Sequence, residues 1–185
     1  KKKRRARLLV ELFDDYAPRA AASFSALLEK KAFHGPFSSV EPGVACTSAV
    51  SAETLREDDT FRLKHTNAGL LTVPSRRRSG TQFQILFSEQ PSLDTKQLVF
   101  GRLLHGFAAL RAVEKASSEV VVSIVDAGRL PNEGSLEATL GRDSLSKTIL
   151  DDDADDANLA RNYRNNTNYY DVSARSALFS WTTSC

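Results

Sequence analysis

The stretch Thr81-Gln82-Phe83-Gln84-Ile85-Leu86-Phe87-Ser88 alternates along its length, with Phe83, Ile85 and Phe87 on one face of an extended chain and Gln82, Gln84 and Leu86 on the other. That period of two predicts a strand with a buried side and a partly wet side. Working outward, residues 61–63, 69–73 and 98–104 read as further strands. The small and apolar residues of 37–50, broken by Pro42-Gly43, predict two short strands around a turn. Residues 8–13 and the β-branched run at 120–125 add a strand towards each end.

Only two helices are predicted. The first has Pro18 where a first-turn proline is tolerated, three alanines at 20–22, and Phe24, Leu27 and Leu28 at helical spacing. Lys30, Lys31 and then Gly35-Pro36 mark its end. The second covers residues 106–116, with Phe107, Leu110 and Val113 on one side. Six to eight short strands with two helices predict a mainly β fold, a closed antiparallel barrel capped by the helices.

A length of 185 residues suits one domain with chain to spare. The organisation expected is a basic N-terminal arm over 1–7, a barrel domain over 8–130, and an extended, irregular tail over 131–185. The tail is rich in Ser, Asn, Asp and Thr and lacks periodicity, a composition that buries too little apolar surface to fold alone. It is expected to be ordered by a protein partner through Tyr163, Tyr169, Tyr170, Phe179 and Trp181, or else to pack on its own barrel.

The formal net charge is only +2, but Lys1, Lys2, Lys3, Arg4, Arg5 and Arg7 stand far from Asp151, Asp152, Asp153, Asp155 and Asp156. The basic start is a candidate contact for an acidic protein surface, anionic lipid or nucleic acid, or simply a solvated arm. No aromatic is interleaved with it, so base stacking has no support. The triplet Arg76-Arg77-Arg78 admits the same two readings, an anion contact or a solvated loop. No run approaches the roughly 18 apolar residues of a membrane span, and the basic start is not followed by the apolar core of a secretory signal.

Cys46 and Cys185 provide neither a disulfide framework nor metal-ligand spacing, and no phosphate-cradling glycine loop is present, so no cofactor and no metal are expected. The expected setting is intracellular, cytoplasmic or cytoskeletal, with an organellar complex left open. Asn165-Asn166-Thr167 is read as a chance sequon. The start at Lys1 and the lack of any methionine suggest part of a longer protein.

Five fragments, in order, now resemble the cyclophilin family of peptidyl-prolyl isomerases: Glu11-Leu12-Phe13 with the Pro18 helix; Leu63-Lys64-His65-Thr66 before Gly69-Leu70-Leu71; Gly80-Thr81-Gln82-Phe83; Leu93-Asp94 with Lys96 and Val99-Phe100-Gly101; and Asp126-Ala127-Gly128-Arg129-Leu130. The resemblance covers about residues 7–130 and implies the cyclophilin barrel. It also implies that His65 belongs to a structural segment and is not a catalytic base. The family's first strand has no counterpart, so an unseen segment or a partner is expected to supply it.

The resemblance implies a site as well. The family's Phe-His-Arg-Ile-Ile-Pro-Gly-Phe-Met-Cys-Gln segment corresponds to Phe37-Ser38-Ser39-Val40-Glu41-Pro42-Gly43-Val44-Ala45-Cys46-Thr47, which puts Ser39 at the arginine position. Val44 and Ala45 stand for the aromatic and methionine that grip proline, Thr47 for the glutamine that orients the arginine, and Gln84 for a second aromatic. Pro74, Ser75, Ser92 and Gln97 replace rim residues, Phe37 belongs to the same degenerate groove, and only Gln82 and Leu93 persist among the substrate-contacting positions. No confident catalytic residue remains. The expectation is a pseudo-isomerase acting as a scaffold, a protein-binding subunit of a larger assembly, a cytoskeletal one among the options, with enzymatic activity left open. The alternatives are a weakly active isomerase assisting protein folding and an RNA-associated cyclophilin of the spliceosomal type.

Overall fold

The computed structural model describes residues 4–48, 61–74, 82–116, 121–129 and 175–184. The elements run β1 (Arg4–Leu12), α1 (Pro18–Glu29), β2 (Gly35–Glu41), β3 (Ala45–Ser48), β4 (Leu70–Pro74), β5 (Gln84–Leu86), a 3-10 turn (Pro91–Leu93), β6 (Gln97–His105), α2 (Phe107–Glu114), β7 (Val121–Arg129) and β8 (Arg175–Ser184). The strands close into an antiparallel barrel in the order β1-β6-β4-β5-β3-β2-β7-β8. Closure leaves no free edge in the sheet.

Local chemistry explains the caps. Pro18 opens α1, where its missing N–H costs no hydrogen bond, and Ala20, Ala21, Phe24, Leu27 and Leu28 form its buried face. Gly106, at φ +101°, makes the left-handed turn into α2, which buries Phe107, Leu110 and Val113. Gly69 is similarly placed at φ +77°, and a Cβ there would lie 2.8 Å from the Phe107 ring.

Phe24 anchors the main core. Its ring centroid lies 4.7 Å from Phe33, 5.2 Å edge-on from Phe83 and 5.2 Å from Phe100. Such aromatic pairs contribute about 0.5–1.5 kcal/mol each beyond the area they bury. A smaller apolar cluster comprises Phe13, Ala45, Leu63, Leu70, Leu86 and Val99, with Tyr16, Val44 and Leu93 packed against it.

Three expectations are corrected. Residues 61–63 are not a strand: Leu63 is buried in the smaller cluster from a loop, because Phe61 and Leu63 around Arg62, without a paired neighbour, do not define a ladder. Arg4–Arg7 belong to β1 and not to an arm, since β8 pairs with them through Arg4↔Thr183 and Arg7↔Ser180. Residues 175–184 belong to the barrel and not to an extended tail. They occupy the edge of β1 that had lacked a neighbour, nine residue pairs long, and reach β7 on the other side.

Lys1–Lys3, the 76–78 triplet, Tyr163, Tyr169 and Tyr170 lie outside the described residues. Phe179 and Trp181 fall within β8, opposite Leu8 and Ala6. Among the described residues no helix is long and apolar enough to cross a membrane, and no three His, Cys, Asp or Glu are grouped to hold a metal.

Candidate functional site

The outer face of β2, β3, β5 and β4 carries a row of uncharged polar residues. Ser39 pairs with Thr47, Thr47 with Gln84, and Gln84 with Thr72. Directly paired residues project from the same side of a sheet, so each of four adjacent strands offers one hydroxyl or carboxamide to the row. Gln97 extends it onto β6, where the Thr72 hydroxyl donates a 2.6 Å hydrogen bond to its Oε1. Gln84 Nε2 donates to Thr47 Oγ1 at 3.2 Å.

Two residues along β3, β5, β4 and β6 the same face turns apolar, as the period of two requires, whereas β2 places Glu41 beside Ala45. Ala45 pairs with Leu86, and both join Leu70 and Val99 in the smaller cluster, flanked by Val44 and Leu93. The site is therefore a border, with apolar residues on one side and hydrogen-bonding groups on the other. Thr47 and Thr72 are buried as its floor, Gln84 and Gln97 are half-buried above them, and Ser39 is exposed.

The loops that frame this border are fixed by hydrogen bonds. The β2–β3 turn is tied to α2, where the Gly43 N–H donates to Glu114 Oε1 at 2.9 Å and Arg111 Nη1 holds Glu114 Oε2 at 2.8 Å. Ser88 and Gln90 both donate to the Gly43 carbonyl, at 2.5 and 3.0 Å. Val44 and Ala45 are thus held in place by three side chains, one on α2 and two on the loop after β5. On the other flank, fully buried His65 donates its backbone N–H and Nδ1 to Asp94 Oδ1, each at 2.9 Å, and its carbonyl accepts from the Gln90 N–H at 2.8 Å. This pins the 3-10 turn carrying Leu93, consistent with a structural part for His65.

Partial burial works against the Asp94 carboxylate, but the hydrogen bonds from the His65 backbone and ring, with the nearby charges of His65 and Lys64, hold its pKa below the ordinary value. Cys46 faces the main core from β3, and burial pushes its thiol up to about 12. It is no nucleophile.

The residues expected in the groove divide accordingly. Val44, Ala45, Thr47, Gln84, Leu93 and Gln97 gather at the border, and Ser39 stands at its rim. Phe37 packs against the main core, Gln82 is half-buried one residue before core residue Phe83, and Ser92 is exposed on the 3-10 turn. Pro74 ends β4 opposite Gln97, and Ser75 lies outside the described residues. Sequence reading missed Thr72, whose signal was its place two residues from Leu70 in an alternating strand. It also missed Glu114, for which no local signal exists.

No side chain of the row is charged. Three described arginines are engaged elsewhere, Arg102 with Glu11, Arg111 with Glu114 and the Phe87 carbonyl, and Arg129 with Glu29. The arrangement can accept and donate hydrogen bonds and shelter a small apolar group.

A helix-capped closed barrel with a framed patch on its outer face defines the class to which this protein belongs: an antiparallel β-barrel whose outer face carries a border between polar and apolar residues. The sequence matches the family model described as cyclophilin type peptidyl-prolyl cis-trans isomerase/CLD over residues 2–129. The chain belongs to the cyclophilin family. Among solved structures it is similar to a cyclophilin type peptidyl-prolyl cis-trans isomerase of Cryptosporidium parvum, determined in the presence of the dipeptide Ala-Pro. The identity is 25% and the TM-score 0.54, over 63% of this chain and 87% of that one.

Proposed function

We propose that this domain binds polypeptide without isomerising it, and that it serves as a protein-binding subunit of a larger assembly. One observation carries the reading. Ser39, exposed and uncharged, pairs with Thr47 at the positions where the family resemblance puts a catalytic arginine and the glutamine that orients it.

Rotation about an X-Pro amide must break resonance against a barrier of about 18–20 kcal/mol. An isomerase lowers that barrier only through contacts stronger in the twisted state than in either planar one. A hydrogen bond from a charged donor contributes roughly 1.5–3 kcal/mol, so a hydroxyl in place of a guanidinium forfeits about one to two decades in rate. Val44 and Ala45 reduce the apolar grip further. A protein partner remains the fitting ligand, since the framed border is a surface feature between strands and turns.

The test is cis/trans exchange of a proline peptide measured with and without the protein. No acceleration is expected. A rate matching an ordinary cyclophilin would end this reading.

A further inference from the structure

We infer that the polar row selects a side-chain carboxamide, an Asn or Gln on an extended segment of the partner protein, where the family would take a proline ring. This rests on the non-isomerising reading above and goes on to name the ligand chemistry.

The inference follows from the capacity left over in the polar row. Gln84 uses one of its two Nε2 hydrogens on Thr47, and among the described residues its Oε1 has no partner. Thr47 accepts that bond at Oγ1 and retains its own hydroxyl hydrogen. Gln97 receives the Thr72 hydroxyl at Oε1, which leaves its Nε2 donors uncommitted among the described residues. Gln84 on β5 pairs with Thr72 on β4, while Gln97 on β6 lies opposite Pro74, two residues further along, and reaches back to the Thr72 hydroxyl, so acceptor and donor capacity lie on the two sides of Thr72. A carboxamide carries both a donor and an acceptor and can engage both sides.

A proline ring has neither. Seated here it would strip water from Gln84 and Gln97 and return nothing, and a dried polar group without a partner weakens binding. Sites built for hydrogen bonding reject the analogue that lacks the group far more strongly than apolar pockets reject a polar one. The adjoining Val44, Ala45 and Leu93 suit the methylenes of Asn or Gln.

The experiment titrates the isotope-labelled chain with two capped tetrapeptides, Gly-Ala-Gln-Gly and Gly-Ala-Pro-Gly, following backbone amides by NMR. The Gln peptide should bind about tenfold or more tightly, with shifts at Thr47, Thr72, Gln84 and Gln97. Gln84→Leu should erase that preference. Gln97→Met serves if the first variant does not fold, and it should weaken the Gln peptide at least about threefold. Equal affinities, a preference for proline, binding of neither peptide, or a preference untouched by a folded variant each overturn the inference. Catalysed exchange of the proline peptide would overturn the non-isomerising reading instead, so the two failures are distinguishable.

Discussion

The Asp94 carboxylate holds His65 twice through a single oxygen, since the ring Nδ1 and the backbone N–H of His65 each lie 2.9 Å from Oδ1. The pairing joins the loop before β4 to the turn before β6 and thereby sets where Leu93 packs against the smaller cluster. Asp94→Ala should cost about 1–3 kcal/mol of stability at neutral pH, the usual penalty for stranding buried partners. Chemical denaturation of both proteins measures it.

The same pair has a pH signature. The folded carboxyl has a depressed pKa, so its stabilisation is present above the unfolded value of about 3.9 and is lost as pH falls through the lower folded value. The gap between wild type and Asp94→Ala should therefore be present at about pH 5 and narrow below about pH 4. A gap that widened in acid would contradict the assignment.

Cys46 should resist alkylation in the native state at pH 8, because a thiol titrating at about 12 is almost wholly protonated there. In a Cys185→Ser background, iodoacetamide should modify the protein only after denaturant is added. Rapid native labelling would show that β3 opens.

A methyl group at Gly101 has nowhere to go. Its Cβ would approach the Glu11 carbonyl oxygen to 2.6 Å, a backbone atom that cannot rotate aside. Gly101→Ala should separate β1 from β6 locally and destabilise the fold by about 1–3 kcal/mol, read as a lower denaturation midpoint.

Restoring one charge should not restore an enzyme. Ser39→Arg alone is expected to leave proline exchange unaccelerated, because Thr47 and Ala45 neither orient the guanidinium nor hold the ring. Full cyclophilin activity from this single change would show that the rest of the groove is intact.

Ending the chain before Arg175 removes a strand paired on both sides. The truncated protein should melt at lower temperature and self-associate, since β1 and β7 would become free edges. A monomer of unchanged midpoint would show that β8 is dispensable.

Much of this architecture is legible locally. The alternation through Phe83 and Ile85 places β5 correctly, although only Gln84–Leu86 are paired, and the Pro18 helix is announced by its own residues. Leu86 sits on the outer face with Gln84, as alternation requires, but is buried by Leu63 from a loop that no periodicity reveals. The site shows the same division. Side-chain replacements at Ser39, Val44 and Ala45 are visible along the sequence, whereas the partnership of Thr72 with Gln97 depends on a bulge between Leu71 and Thr72 that sets the register. The Arg175–Ser184 strand escaped notice because its serines and threonines continue the composition before it, and pairing with a strand at the opposite end leaves no local trace.

That pairing bears on how the protein is made. Synthesis delivers β1 first and β8 last, so the barrel's final seam waits until residues 175–184 have cleared the ribosome. Until then the nascent chain displays two unmatched rows of amides and carbonyls, and holding them apart from neighbouring chains is the natural task of a chaperone during translation.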